Sequence, residues 1–157
     1  MSYVQLYDVL PEVAMKETRT ITAYSNNIYG LPPGDYGLVE LYCKDCDCRR
    51  VKIAVVSSNS EKPVAFMYYG WESLKFYTKW FNMGKTVDFG KMNPLDQQAV
   101  RYMHGVNLSM DDEQSKDAFT LLKMVTEQAF NDKVYVEGLK RRYKLFRAKV
   151  NKKITFP

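Results

Sequence analysis

Cys43, Cys46 and Cys48 are the only cysteines of the chain. They share one short run, Tyr42-Cys43-Lys44-Asp45-Cys46-Asp47-Cys48-Arg49-Arg50. A Cys-x-x-Cys in a tight turn aims two thiolates at one point, and Zn²⁺ takes thiolate sulfur at about 2.3 Å in tetrahedral sites. Cys48 offers a third thiolate, so zinc is the expected cofactor. The fourth ligand has to come from elsewhere. His104 is the single histidine, and Asp45, Asp47 or water are the alternatives. His104 has a plainer role open to it, at the end of a helix just before Gly105, where a cation meets the negative end of the helix dipole. Lys44, Arg49 and Arg50 flank the thiols and favour their ionised form. The same cluster would serve a thiol-dependent or zinc-dependent enzyme if one coordination position stayed open. In the simplest reading the cysteines are reduced, unliganded small residues of a turn.

The second chemical feature is charge. Residues 133–157 hold nine of the 23 basic side chains and one of the 18 acids, so this segment is +8 and the rest of the chain −3. Lys140, Arg141, Lys144 and Arg147 recur at helical spacing. They could track the phosphates of a nucleic acid, or meet another anionic partner, with salt-dependent affinity. Alternatively, the basic segment docks on its own acidic domain, or its long stems cover an apolar stripe.

Other motifs fail on spacing. Gly84-Lys85-Thr86 lacks the earlier glycine of a phosphate loop, since residue 79 is Lys. No Gly-x-Ser-x-Gly string accompanies the lone histidine. Asp111-Asp112-Glu113 fits a helix start, where carboxylates meet the positive dipole end. Phe66, Tyr68, Tyr69, Trp71, Phe76, Tyr77, Trp80 and Phe81 crowd one stretch. They suit a core between sheet and helix, or a stacking platform for single-stranded nucleic acid. Glu72 is a candidate pocket carboxylate, or a solvated one.

The elements that must carry these residues follow from periodicity. Strands are expected at 18–23, 36–43, 48–57 and 63–69. Only four residues separate the second from the third, which predicts an antiparallel hairpin bearing the cysteines. A helical turn is expected at 9–17, a helix at 71–81, and a loop at 82–92. A further helix opens at Asn93-Pro94, with Asn as cap and Pro at the first helical position. Ser109 with Asp112 resembles a capping box for another helix. The last helix spans 132–150, with Tyr135, Leu139, Tyr143, Phe146 and Val150 as its apolar stripe. Strands before helices predict an α+β domain, with an antiparallel sheet of hairpins and C-terminal helices packed on one face.

At 157 residues with 46% hydrophobic composition, one domain is expected, sheet-rich over 1–70, helical over 71–150, with a short tail at 151–157. Disorder and coiled coil are excluded on composition. No apolar run reaches the length of a membrane helix, no secretory signal is expected from the N-terminus, and an odd cysteine count fits a reducing cytoplasm.

Tyr36-Gly37-Leu38-Val39-Glu40-Leu41-Tyr42-Cys43, Cys46-Asp47-Cys48-Arg49-Arg50-Val51 and Tyr69-Gly70-Trp71-Glu72-Ser73 together resemble uncharacterised small bacterial proteins. In those proteins the spacing between the first two cysteines is longer. The resemblance implies a bacterial intracellular origin and no particular activity.

Overall fold

A computed structural model describes residues 2–154, the side chains of 152–154 excepted. Six strands form one antiparallel sheet: β1 (Tyr3–Gln5), β2 (Arg19–Ala23), β3 (Gly34–Cys43), β4 (Arg50–Ser57), β5 (Ala65–Gly70) and β6 (Gly105–Leu108). The order is β1-β3-β4-β5-β6, with β2 also paired to β3. β3 is long enough for both short strands to share one of its edges. β1 takes Leu41 to Cys43 and β2 takes Gly34 to Leu38. Helices α1 (Leu6–Val9) and α2 (Pro11–Glu17) connect these two strands.

Alternation along the strands defines two faces. Leu38, Tyr42, Val51, Ile53, Val55 and Met67 face the main core with Leu121, Met124, Leu139 and Phe146. Those last four come from α5 (Ala118–Val125) and α6 (Lys133–Ile154), joined by a π-helical turn at Thr126–Phe130. This is the α+β class expected, and the predicted stripe of α6 is the buried one, but the helices do not all pack on one face. On the opposite surface, α3 (Leu74–Phe81) and α4 (Pro94–Met103) build a smaller cluster around Tyr77, Val100 and Met103. Asn93 caps α4 as its sequence predicts, its side chain accepting from the Asp96 N–H. Ser73 does the same for α3 through Phe76, so that helix begins three residues later than expected.

Three further expectations are corrected. Ser109 does not open a helix. Its N–H donates to the Phe66 carbonyl and its hydroxyl to Asp112 Oδ2 (2.5 Å), while the helix waits until Ala118. The side chains of a capping box are there, but pairing beside β5 claims the backbone. Residues 105–108 form β6 inside the stretch expected to be helical. The last helix runs to Ile154, so 151–154 is helix rather than tail; 155–157 lie outside the described residues. Among the described residues, no helix is long and apolar enough to cross a membrane.

Candidate metal centre

The cysteines sit where β3 gives way to the 44–49 loop that returns as β4. Their Sγ atoms all lie within 4.8 Å of one another, and Cys43 Sγ is 3.0 Å from Cys46 Sγ. All three thiols are free; Cys43 and Cys48 are buried and Cys46 is half-buried. Sulfurs bound to one tetrahedral zinc stand about 3.8 Å apart, so these separations bracket that edge. The sequence expectation that one turn gathers all three sulfurs is met.

The loop is held from three directions. At the β1 end, the Lys44 N–H donates to the Ser2 carbonyl and the Ser2 N–H to Asp45 Oδ2, each at 3.0 Å. From α6, Arg147 donates to the carbonyls of Cys43 (3.3 Å) and Lys44 (3.1 Å). The Tyr143 hydroxyl donates to Asp47 Oδ1 (2.5 Å) and accepts the Arg49 N–H (3.2 Å). From α3, the Tyr77 hydroxyl donates to the Arg49 carbonyl (2.7 Å). Arg49 needs this support. Its φ of +50° is left-handed, a conformation costing a non-glycine residue about 1–2 kcal/mol. Tyrosine hydroxyls from two helices grip both of its backbone polar groups and fix the loop in that shape.

The thiols share protons unequally. Hydrogen bonding from Cys48 and Cys46, helped by the Asp45 and Cys46 backbone N–H groups, outweighs burial and lowers Cys43 to about 5. Burial and the neighbouring Cys43 thiolate push Cys46 up to about 11. Its bond to Cys43 and its burial hold Cys48 well above the ordinary thiol range. Tyr3, paired with Cys43 across β1 and β3, places its hydroxyl 3.9 Å from Cys48 Sγ. Its phenol is pushed up by burial first and by Cys48 second.

His104 stands apart. It is exposed at the C-cap of α4, its ring 6.3 Å from that of Tyr77, and it does not join the sulfur group. Asp45 and Asp47 are taken up by Ser2 and Tyr143. Among the described residues no fourth histidine, cysteine or carboxylate completes the cluster.

The basic residues of α6 come down beside the same loop. Lys140, Lys144 and Arg147 line a cleft of about 740 Å³ with Asp47, Arg49 and Glu72. Most of this charge already has a partner. Arg141 pairs with Glu17, Lys140 with Glu137 (3.4 Å), and Arg147 with the two loop carbonyls. Lys144 is exposed. Glu72 is half-buried and pairs with Arg49 at 3.3 Å.

Sequence reading missed the residues that hold the loop, Tyr77, Tyr143 and Tyr3, because their partners are remote in the chain. It also missed a buried pair. Glu40 Oε1 and Oε2 accept from Arg142 Nε at 2.9 and 3.1 Å in the main core. The signal for Glu40 was present, since it alternates in step with Leu38 and Tyr42. Comparison with protein-family models, curated proteins and solved structures finds no match to this chain. Its class therefore rests on the fold and the centre: an α+β domain with three cysteines placed to bind a metal.

Proposed function

We propose that this protein is a zinc-binding module, with Cys43, Cys46 and Cys48 as the protein ligands and the fourth position taken by water or by a donor from a binding partner. The observation that carries the reading is three sulfurs within 4.8 Å on a loop gripped by β1, α3 and α6. Such a loop confines the sulfurs near their bound arrangement before the metal arrives, which reduces the ordering cost of binding. Zinc fits the donor set because thiolates select soft and borderline metals over Mg²⁺ or Ca²⁺.

The test is elemental analysis of protein purified without an affinity metal and without chelator. About one zinc per chain is expected, lost in Cys43→Ser and in Cys48→Ser. Zinc at about a thousandfold excess over its Kd should stabilise the fold by about 4 kcal/mol. At this chain length that is a rise in Tm of about 8–16 °C. Absence of metal together with an unmoved Tm refutes the proposal.

A further inference from the structure

The surface of the sheet opposite the main core carries a larger cleft, of about 1140 Å³, between the strands and the α3–α4 pair. At its floor is Arg50. Val51 points into the main core, so its neighbour Arg50 points the other way, onto this surface. Arg50 faces Gly70 on β5. A Cβ at Gly70 would come within 2.1 Å of the Met103 carbonyl, so the end of α4 lies directly against the strand there. The arginine is thus enclosed, with 3% of its surface exposed.

Its charge is unanswered. Among the described residues Arg50 has no carboxylate within ion-pair distance, while the other two cations of the strands, Arg19 and Lys52, each have one. Its Nε has no hydrogen-bond partner, and one Nη reaches the Tyr102 carbonyl at a long 3.4 Å. The guanidinium carbon lies 4.4 Å from the Tyr68 ring centre and 5.8 Å from that of Tyr102. Stacking of this kind offsets part of the desolvation of a cation, but it leaves N–H donors open.

Five rings line the cleft, Tyr3 and Tyr68 from the sheet, Trp80 and Phe81 from α3, and Tyr102 from α4, with aliphatic side chains and two amides between them. Its other charges are Lys52, balanced by Asp112 at 2.7 Å, and Arg101 and Asp111. A cavity near the ~300–1000 Å³ of small-molecule sites, walled by rings and holding one buried cation, selects its occupant by chemistry. We propose that this cleft binds a small molecule with a planar apolar body and a carboxylate or phosphate head, Arg50 receiving the head and the aromatic walls the body. The guanidinium fork matches both oxyanions. A head without a body gains nothing from the rings. A body without a head leaves Arg50 unpaired.

Trp80 gives the readout. Trp71→Phe leaves it as the sole tryptophan, and Trp71 lines the other cleft. Titrations of this variant with benzoate and with phenyl phosphate should change Trp80 fluorescence saturably, and their comparison identifies the preferred head. Inorganic phosphate and the neutral benzyl alcohol should each bind at least about tenfold more weakly. Adding Arg50→Met should weaken the aryl anions by about tenfold or more and abolish their advantage over benzyl alcohol. The unliganded Arg50→Met protein should melt no lower than its parent, because an unpaired buried charge has been removed. The proposal is overturned if neither aryl anion saturates, if benzyl alcohol binds as well as benzoate, or if Arg50→Met lowers Tm and leaves binding unchanged. Should Arg50→Met fail to fold, the comparison of benzoate with benzyl alcohol on the parent still decides.

Discussion

Glu40 and Arg142 are two charges in an otherwise apolar layer, and their partners define what each is worth. The Glu40 carboxylate receives Arg142 Nε and the Tyr42 hydroxyl, the latter at 2.5 Å. Arg142 also reaches Glu17 at 3.3 Å, while its Nη2 has no partner. Desolvation works against the Arg142 charge, yet the Glu40 carboxylate more than compensates and raises its pKa. Removing Arg142 strands the Glu40 carboxylate in the core, which costs about 3–5 kcal/mol, whereas removing Glu40 leaves Arg142 its contact with Glu17 at 3.3 Å. Arg142→Met should lower urea-unfolding stability by that amount, and Glu40→Met by less. The double variant should recover most of the loss. It strands no charge, Tyr42 keeps the Leu139 carbonyl at 3.3 Å, and Glu17 keeps Arg141. A double variant as unstable as the sum of the two singles would show that the pair contributes through packing instead. The cysteines contrast with this pair. Their negative charge is shared among three thiols at one point and is available to a cation from outside.

Gly70 ends β5 at the point where α4 closes on it, and this one contact sets the distance between the sheet and the α3–α4 pair. Its missing side chain is a steric requirement, since a Cβ would meet the Met103 carbonyl at 2.1 Å and the Tyr77 hydroxyl at 2.7 Å. Tyr77 is also the residue that grips the Arg49 carbonyl, so the same crowding disturbs the cysteine loop. Gly70→Ala should therefore cost about 1–3 kcal/mol, a fall in Tm of about 2–12 °C, and should weaken the proposed zinc binding in parallel. A stable Gly70→Ala protein in which metal binding at the cysteines is unaltered would separate the two elements. The sheet from β2 to β5, the start of α4 and the buried stripe of α6 were legible in the sequence, because each rests on local periodicity or a cap. The gathering of the cysteines was legible for the same reason, as three ligands on one tight hairpin need no distant partner. β6 was not. Four residues give little alternation, and its strand identity comes from pairing with β5, from Met67↔Leu108 to Gly70↔Gly105. Ser109 and Asp112 misled because capping chemistry is the same in a loop as at a helix start. The grip of Tyr77 and Tyr143 on the loop was hidden because it joins segments whose sequence separation carries no pattern.

Part of the uneven charge of the chain is met within its own fold. Arg141 and Arg142 of α6 reach Glu17, Arg142 also reaches Glu40, and Arg19 of β2 meets Asp132 just before α6 at 3.0 Å. Two basic residues of the C-terminal helix, Arg141 and Arg142, thus meet acids of the body. Three aspartates tie distant segments in the same manner. Asp45 holds Ser2, Asp132 holds Arg19, and Asp112 holds Lys52. The Ser2 hydroxyl and then its N–H lower the Asp45 carboxyl, and the Arg19 guanidinium lowers Asp132. Partial burial pushes Asp112 up, but the Lys52 ammonium and the Ser109 hydroxyl together bring it below the usual carboxylate range. A folded-state pKa below the unfolded value of about 3.9 binds fewer protons in the fold than out of it. The stability these groups contribute is fully present above about pH 5, and is lost as pH falls through their folded values. A melting series should accordingly be flat in these contributions from pH 7 to about pH 5 and should decline below about pH 4. Asp112→Asn removes the least exposed of the three carboxylates that oppose acid. That variant should start with a lower Tm at pH 7 and lose less on acidification, so its curve and that of the parent converge toward pH 3. Curves that stay parallel across this range would mean that Asp112 is ionised equally in both states and that other carboxylates govern the acid limb.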